Sequence, residues 1–157
     1  MFNRQFVPSV EYPNPIPGLK YWLSADEFNP TAQVGSKQVT DSGIANSISP
    51  KEFVNKYNNL SLVMEGFLKA DTKGIYEFEL ASDNGARLMI DNILIIDNSN
   101  PFACFEKKSA IPLHKGLHSF KINYFDVPTQ LYSLNRSGLL RIMMTPPESK
   151  KEELSSD

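Results

Sequence analysis

The sequence predicts an all-β fold, an antiparallel β-sandwich with an irregular N-terminal segment, and three observations lead to this prediction. Apolar and polar residues alternate with a period of two in several segments after residue 60, which is typical of half-buried strands. A glycine precedes each of four such segments, at Gly74, Gly85, Gly116 and Gly138, so turns recur at fairly regular intervals. The chain has 157 residues, 41% of them hydrophobic, which is enough for one domain with a packed core.

Five segments are predicted to be antiparallel strands. The alternation is clearest where Tyr76, Phe78 and Leu80 are separated by glutamates. Asp91-Asn92 lies between two of the segments and predicts a tight hairpin, because both residue types tolerate positive φ. The predicted strands span residues 74–82, 86–91, 93–97, 117–125 and 138–144. The side chains predicted to face the core are Tyr76, Phe78, Leu80, Leu88, Ile90, Phe120, Ile122 and Tyr124.

Both ends of the chain are predicted to lie outside the regular sheets. Prolines cluster near the start, and glycines amid Ser, Thr and Asn follow, so residues 1–49 are expected to be irregular, beginning with an extended segment over residues 1–16. Pro50 and the residues after it predict a helical turn or two. A single domain is therefore predicted over residues 1–147, and the charged segment 148–157 is expected to be a disordered tail or a linker.

Composition argues against several classes of function. The net charge is -2, without the basic excess that nucleic-acid binding normally requires, so no nucleic acid is expected as a partner. The longest apolar run, reached at residues 93–96, has four residues, whereas a membrane-spanning helix needs about 20. The N-terminal residues contain no apolar stretch that resembles the core of a signal peptide. The single cysteine, Cys104, excludes an intramolecular disulfide and a multi-cysteine zinc site.

A series of short motifs, in a fixed order, resembles a known family. The motifs are Gly74-x-Tyr76-x-Phe78, Ser82-Asp83-Asn84-Gly85, Leu88-x-Ile90-Asp91, Ile96-Asp97, Leu113-x-x-Gly116-x-His118, Tyr124 and Leu140-x-Ile142. Together they resemble the anthrax protective-antigen-type lectin-like domain, and Pro17-Gly18-Leu19 resembles the opening segment of that family. The resemblance covers residues 17–147, and it is closer over residues 60–147 than before them.

The resemblance implies a non-catalytic recognition module. Members of the family are β-sandwiches of adhesins, toxins and glycosidases, and many bind carbohydrate. This implies glycans as partners, fusion to catalytic or adhesin domains, and an extracellular or cell-surface location. The alternative is a structural or protein-interaction β-sandwich that has lost ligand binding. A fold alone does not decide between these functions.

The resemblance also implies where a ligand site would lie. In calcium-dependent members that resemble fungal adhesins, two adjacent aspartates stand where this chain has Asp83 and Asn84. An asparagine offers a neutral oxygen where calcium favours a carboxylate, so calcium as a cofactor is expected to bind weakly or not at all. The candidate metal ligands are Asp83, Asn84, Asp126 and Asn135. The alternative is that Asp83-Asn84-Gly85 forms only a turn, in which Asx side chains bond the local backbone and the glycine supplies positive φ.

A second loop, between the strands that end near Phe125 and begin near Leu139, carries the other candidates. Sugar recognition uses planar polar groups for hydroxyls and an aromatic face for the ring, and this loop contains both. The candidate sugar-binding residues are Asp83, Gln130, Tyr132, Asn135 and Arg136. The alternative is a solvated connection whose apolar side chains cap the end of the sandwich.

No catalytic motif can be recognised, so the chain is not expected to be an enzyme. The sequence contains no phosphate-binding glycine-rich loop and no nucleophile-elbow spacing. His114 and His118 are four residues apart, but Gly116 and the strand pattern argue against a helix that would bring them together on a metal. Cys104 lies among apolar residues, which is typical of a small buried side chain and not of an activated thiol.

Overall fold

The computed structural model describes residues 5–9, 11, 17–25, 38–57, 59–99, 105–126, 138–148 and 152–153. These residues form two antiparallel sheets, with one short helix. The elements in chain order are β1 (Leu19–Ser24), β2 (Asp41–Ala45), α1 (Lys51–Val54), β3 (Leu60–Ala70), β4 (Gly74–Ser82), β5 (Gly85–Ile90), β6 (Ile93–Asn98), β7 (Phe105–Leu113), β8 (Gly116–Asp126), β9 (Leu140–Thr145) and β10 (Glu152–Glu153).

The two sheets confirm the predicted all-β sandwich. One sheet has six strands in the order β2-β1-β3-β8-β5-β6, and the other has four strands in the order β10-β9-β4-β7. Their inward side chains form one apolar core. The eight side chains predicted to face the core are all buried, each at most 2% exposed. Because side chains alternate along a strand, burial of this whole set also fixes the register.

All five predicted strands are present, and their ends lie within two residues of the predicted ones. The hairpin at Asp91-Asn92 is also confirmed, with φ of 47° and 63° at these two residues. The helical turn after Pro50 is confirmed as α1. Its buried Phe53 and Val54 pack into the core.

The expectation of an irregular chain over residues 1–49 is wrong where β1 and β2 lie. In β1 the inward Leu19 and Leu23 alternate correctly, but Trp22 places an apolar residue at an outward position and hides the alternation. In β2 the sequence DSGIA has little strand propensity, and the strand forms by pairing with β1. Neighbouring strands therefore outweigh local propensity at these positions.

Strands β3 and β7 were not among the five predicted strands. Strand β7 carries charged residues and Pro112, which are unusual in a strand. It is an edge strand of the four-stranded sheet, where a proline is tolerated. In the N-terminal segment expected to be extended, Val7 lies parallel to β7 at Leu113. Glu152 and Glu153 pair with β9, so these two residues of the expected tail are in a sheet. The domain limits at residues 147 and 148 stay a prediction.

Candidate functional site

The chain crosses from one sheet to the other at Asp83 and Asn84. Ser82, the last residue of β4, pairs with Leu140 in the four-stranded sheet. Gly85, the first residue of β5, pairs with Phe125 in the six-stranded sheet. Asp83 and Asn84 therefore lie at one end of the sandwich, between the two sheets.

The main chain of Asp83 is held from both sides. Its N–H donates to the carbonyl oxygen of Leu139 at 2.9 Å, just before β9. Its carbonyl oxygen accepts a hydrogen bond of 2.7 Å from the hydroxyl of Tyr124 in β8. These bonds fix the position from which the half-buried Asp83 side chain projects.

The glycine of this turn is required by packing. Gly85 does not have positive φ, so that part of the turn expectation is wrong. A Cβ at Gly85 would instead clash with the ring of Phe125. The ring thus lies directly against the backbone where β5 begins, which only glycine permits.

Both ends of the second loop lie at this same end of the sandwich. The loop leaves β8 at Asp126, which pairs with Leu60 at the start of β3. It returns at Gly138, which has a φ of 55° and whose Cβ, if present, would lie 2.7 Å from Cγ2 of Val54 in α1. Helix α1 therefore supports the point where the loop rejoins the sheet, beside Asp83.

The structure brings together three of the predicted site residues. Asp83, Asn84 and Asp126 lie at the same end, with Asn84 and Asp126 only 9% and 4% exposed. The other four candidates, Gln130, Tyr132, Asn135 and Arg136, lie outside the described residues and stay predictions.

Two buried polar residues at this end were missed from the sequence. Asn98, at the end of β6, is 1% exposed and its Nδ2 donates to Oγ of Ser82 at 3.2 Å. The buried polar residues in the described part of the chain are Ser82, Asn84, Asn98, Asp126 and His118, and the first four lie at this end. Ser82, Asn98 and Asp126 each continue an inward apolar alternation at the last position of a strand. A polar residue at that position was the signal in the sequence.

The rim beside Asn98 carries an ion pair between Asp97 and Arg87. Asp97 accepts hydrogen bonds from Nε of Arg87 at 3.1 Å and from the N–H of Ser99 at 3.0 Å. Burial raises the pKa of Asp97, but the hydrogen bonds from Ser99 and the contact with Arg87 outweigh it and hold this pKa below its ordinary value. Asp97 is therefore ionised at neutral pH.

The histidine pair does not form a metal site. Both ring nitrogens of His118 are within hydrogen-bond distance of other groups, Asp91 and the carbonyl oxygen of His114. The ring of His114 instead lies 5.7 Å from that of Phe6. Across the described ranges, no group of three or more His, Cys, Asp or Glu side chains converges. Cys104 lies outside these ranges.

The family model of the PA14 domain matches residues 16–157. The chain is a PA14 domain. This confirms the family that the order of motifs resembles. A comparison with curated protein sequences gives no match.

Solved structures with the same fold occur in several kinds of protein. The PA14 sugar-binding domain of an RTX adhesin has a TM-score of 0.67 and 15% identity, over 90% of this chain and 96% of that chain. An anti-sigma factor domain-containing protein from Clostridium clariflavum has a TM-score of 0.66 and 22% identity, over 94% of this chain and 49% of that chain. The β-glucosidase of Kluyveromyces marxianus, in complex with glucose, has a TM-score of 0.62 and 17% identity, over 83% of this chain and 16% of that chain. The PA14 domain described here thus spans about half and about a sixth of the latter two proteins.

In the part of the chain that the structure describes, no helix is both long and apolar enough to cross a membrane.

Proposed function

We propose that this PA14 domain is a non-catalytic carbohydrate-recognition module, and that it binds glycans at the end of the sandwich that carries Asp83. The observation that carries the proposal is that four of the five buried polar residues in the described part of the chain lie at this end. A buried polar group costs free energy unless it is hydrogen-bonded, so a concentration of such groups at one end requires a reason. Organising polar loops for a polar ligand is such a reason.

The residues at this end have complementary roles in the proposed site. The carboxylate of Asp83 would accept hydrogen bonds from sugar hydroxyls, and the amide of Asn84 would both accept and donate them. The loop that begins at Asp126 would contribute Gln130, Asn135 and Arg136 as further planar polar groups, and Tyr132 as a surface for the C–H face of a sugar ring. Asp126 is 4% exposed, so it would hold the start of this loop and would not itself contact a sugar.

The oxygen donors at this end fit calcium in chemistry. Asp83, Asn84 and Asp126 offer carboxylate and amide oxygens, the ligands that calcium prefers, and Asn135 would add another. When bound, the ion would supply positive charge that sugar hydroxyls can coordinate. Asn84 reduces the negative charge of this set by one, so weak calcium binding or none is expected, and hydrogen bonds would then carry recognition.

The structural neighbours support the proposal through their fold. The RTX adhesin domain is described as sugar-binding, and the β-glucosidase structure contains glucose. By analogy, this domain would act outside the cell or at its surface, as part of a larger protein with adhesin or catalytic domains.

The test is glycan-array screening followed by calorimetric titration of the best ligand, with calcium and with chelator. Asp83→Ala should weaken binding about tenfold or more, the effect of losing a hydrogen bond to a charged group. Asp71→Ala is the matched control, because Asp71 is an exposed aspartate, 76% exposed, at the opposite end of the sandwich. An array without any bound glycan, in both conditions, would favour the structural or protein-interaction alternative. Unchanged affinity in Asp83→Ala would remove Asp83 from the site.

A further inference from the structure

His118 is fully buried at the end of the sandwich opposite Asp83. It lies near the start of β8, whereas Asp126 ends that strand. Its Nδ1 is 2.6 Å from Oδ2 of Asp91, in the hairpin between β5 and β6. Its Nε2 is 2.8 Å from the carbonyl oxygen of His114, in the turn between β7 and β8. The ring therefore connects two turns.

Both partners of the His118 ring are hydrogen-bond acceptors. A carbonyl oxygen cannot donate, so Nε2 must carry a proton. The Asp91 carboxylate accepts at its other oxygen, Oδ1, from the N–H of Ser119 at 2.8 Å and from its hydroxyl at 3.2 Å. An ionised carboxylate likewise cannot donate, so Nδ1 must also carry a proton. Only an imidazolium can donate to both of these acceptors at once.

The turn that His118 holds is also the attachment point of the N-terminal segment. The N–H of His114 donates to the carbonyl oxygen of Val7 at 3.0 Å. The N–H of Val7 donates to the carbonyl oxygen of Pro112 at 2.9 Å. The ring of Phe6 lies 5.7 Å from that of His114 and 4.6 Å from Nζ of Lys73. A continuous chain of contacts therefore runs from Asp91 through His118 and His114 to residues 5–9.

We propose that His118 and Asp91 form a pH-sensitive latch that fastens the N-terminal segment to this end of the sandwich. When the imidazolium loses a proton, it loses the one on Nε2, because the Asp91 carboxylate stabilises the proton on Nδ1. Nε2 and the carbonyl oxygen of His114 are then two acceptors that face each other at 2.8 Å, and the hydrogen bond to this turn is lost. The latch is therefore closed while His118 is protonated, and it opens as the pH rises.

The other charged and titratable groups at this end do not replace Asp91. From β3 and the turn after it, Lys69 and Asp71 pair with each other in solvent, and Lys73 lies over Phe6. From β4, Tyr76 donates its hydroxyl proton to the carbonyl oxygen of Thr72. In the turn that precedes β8, Lys115 is exposed. Among the contacts of His118 in the described residues, Asp91 supplies the carboxylate.

Amide hydrogen exchange of the full chain tests the latch at about pH 5.5 and about pH 9, on either side of the range in which histidine ordinarily titrates. After correction for intrinsic rates, protection of the Val7 and His114 amides should fall by about tenfold or more at the higher pH, the effect of losing a charge-assisted hydrogen bond. The amide of Leu80, in the middle of β4, is the internal reference and should change much less. Nitrogen NMR at the lower pH should show protons on both ring nitrogens of His118.

Asp91→Asn removes the carboxylate and suits the turn, because asparagine tolerates the positive φ of this position. It should abolish the pH dependence at Val7 and His114, whereas Asp71→Asn, which neutralises an exposed aspartate at the same end, should preserve it. Equal protection of the two amides at both pH values in the unmodified chain would overturn the proposal. So would a His118 ring that carries a single proton at the lower pH.

Discussion

Replacing Phe78 with alanine should destabilise the domain severely. Phe78 is 0% exposed in the middle of β4, which lies between β7 and β9. Truncating a fully buried phenylalanine costs about 3–5 kcal/mol, from lost transfer free energy and the cavity that remains. Since domains are stable by about 5–15 kcal/mol, this is a large fraction of the free energy of unfolding. At about 2–4 °C per kcal/mol, the melting temperature should fall by about 6–20 °C.

Calorimetric melting and urea unfolding of the two proteins measure this change. Phe67→Ala is the matched control, because Phe67 is also a strand phenylalanine but is 36% exposed, and it should cost clearly less. If Phe78→Ala melts within about 2 °C of the unmodified domain, or if the two variants lose equal stability, the core assignment is wrong.

Three further predictions concern the turn, the rim and catalysis. Gly85→Ala should lower stability by about 1–3 kcal/mol through its clash with Phe125, and Phe125→Leu should recover part of the loss; urea unfolding that shows no loss in the single variant would contradict the clash. Because the pKa of Asp97 is lowered in the fold, its carboxylate stabilises the domain above the pKa of the unfolded chain, and this stabilisation is lost as the pH falls through the folded pKa. Between about pH 5 and pH 2, Asp97→Asn should therefore lose less stability than the unmodified domain. Equal losses in the two proteins would contradict this prediction. The isolated domain should show no turnover of glycosides, esters or peptides, and turnover that Cys104→Ala abolishes would overturn this prediction.

The strands that could be predicted are those whose two faces differ in polarity. In β4, inward Tyr76, Phe78 and Leu80 alternate with glutamates, so the sequence itself records which face is buried. β1 was hidden because Trp22 places an apolar side chain on the outward face, and β7 because Pro112 and its charged residues suit only an edge. Whether a strand lies at an edge is decided by its neighbours, which are distant in sequence.

The residues of the candidate site could be named from the sequence, but their packing could not. The resemblance gives Asp83 and Asp126 as candidates, the structure locates both at one end of the sandwich, and their role in binding stays a prediction. The role of Gly85 could not be inferred, because it depends on the ring of Phe125, forty residues away in the chain. Ser82 and Asn98 were missed although their alternation indicated inward positions, since their mutual hydrogen bond requires two strands from different sheets.

The proposed recognition of glycans at the Asp83 end is tested most directly by mapping where a bound sugar changes the NMR spectrum. A glycan identified on the array is titrated into the labelled domain, with calcium and then with chelator, and backbone amide shifts are followed. The account predicts saturable changes at Asp83, Gly85, Asn98 and Leu139, and none at Asp91 or His118 at the opposite end. Saturable changes confined to any other surface, with the Asp83 end unaffected, would contradict it.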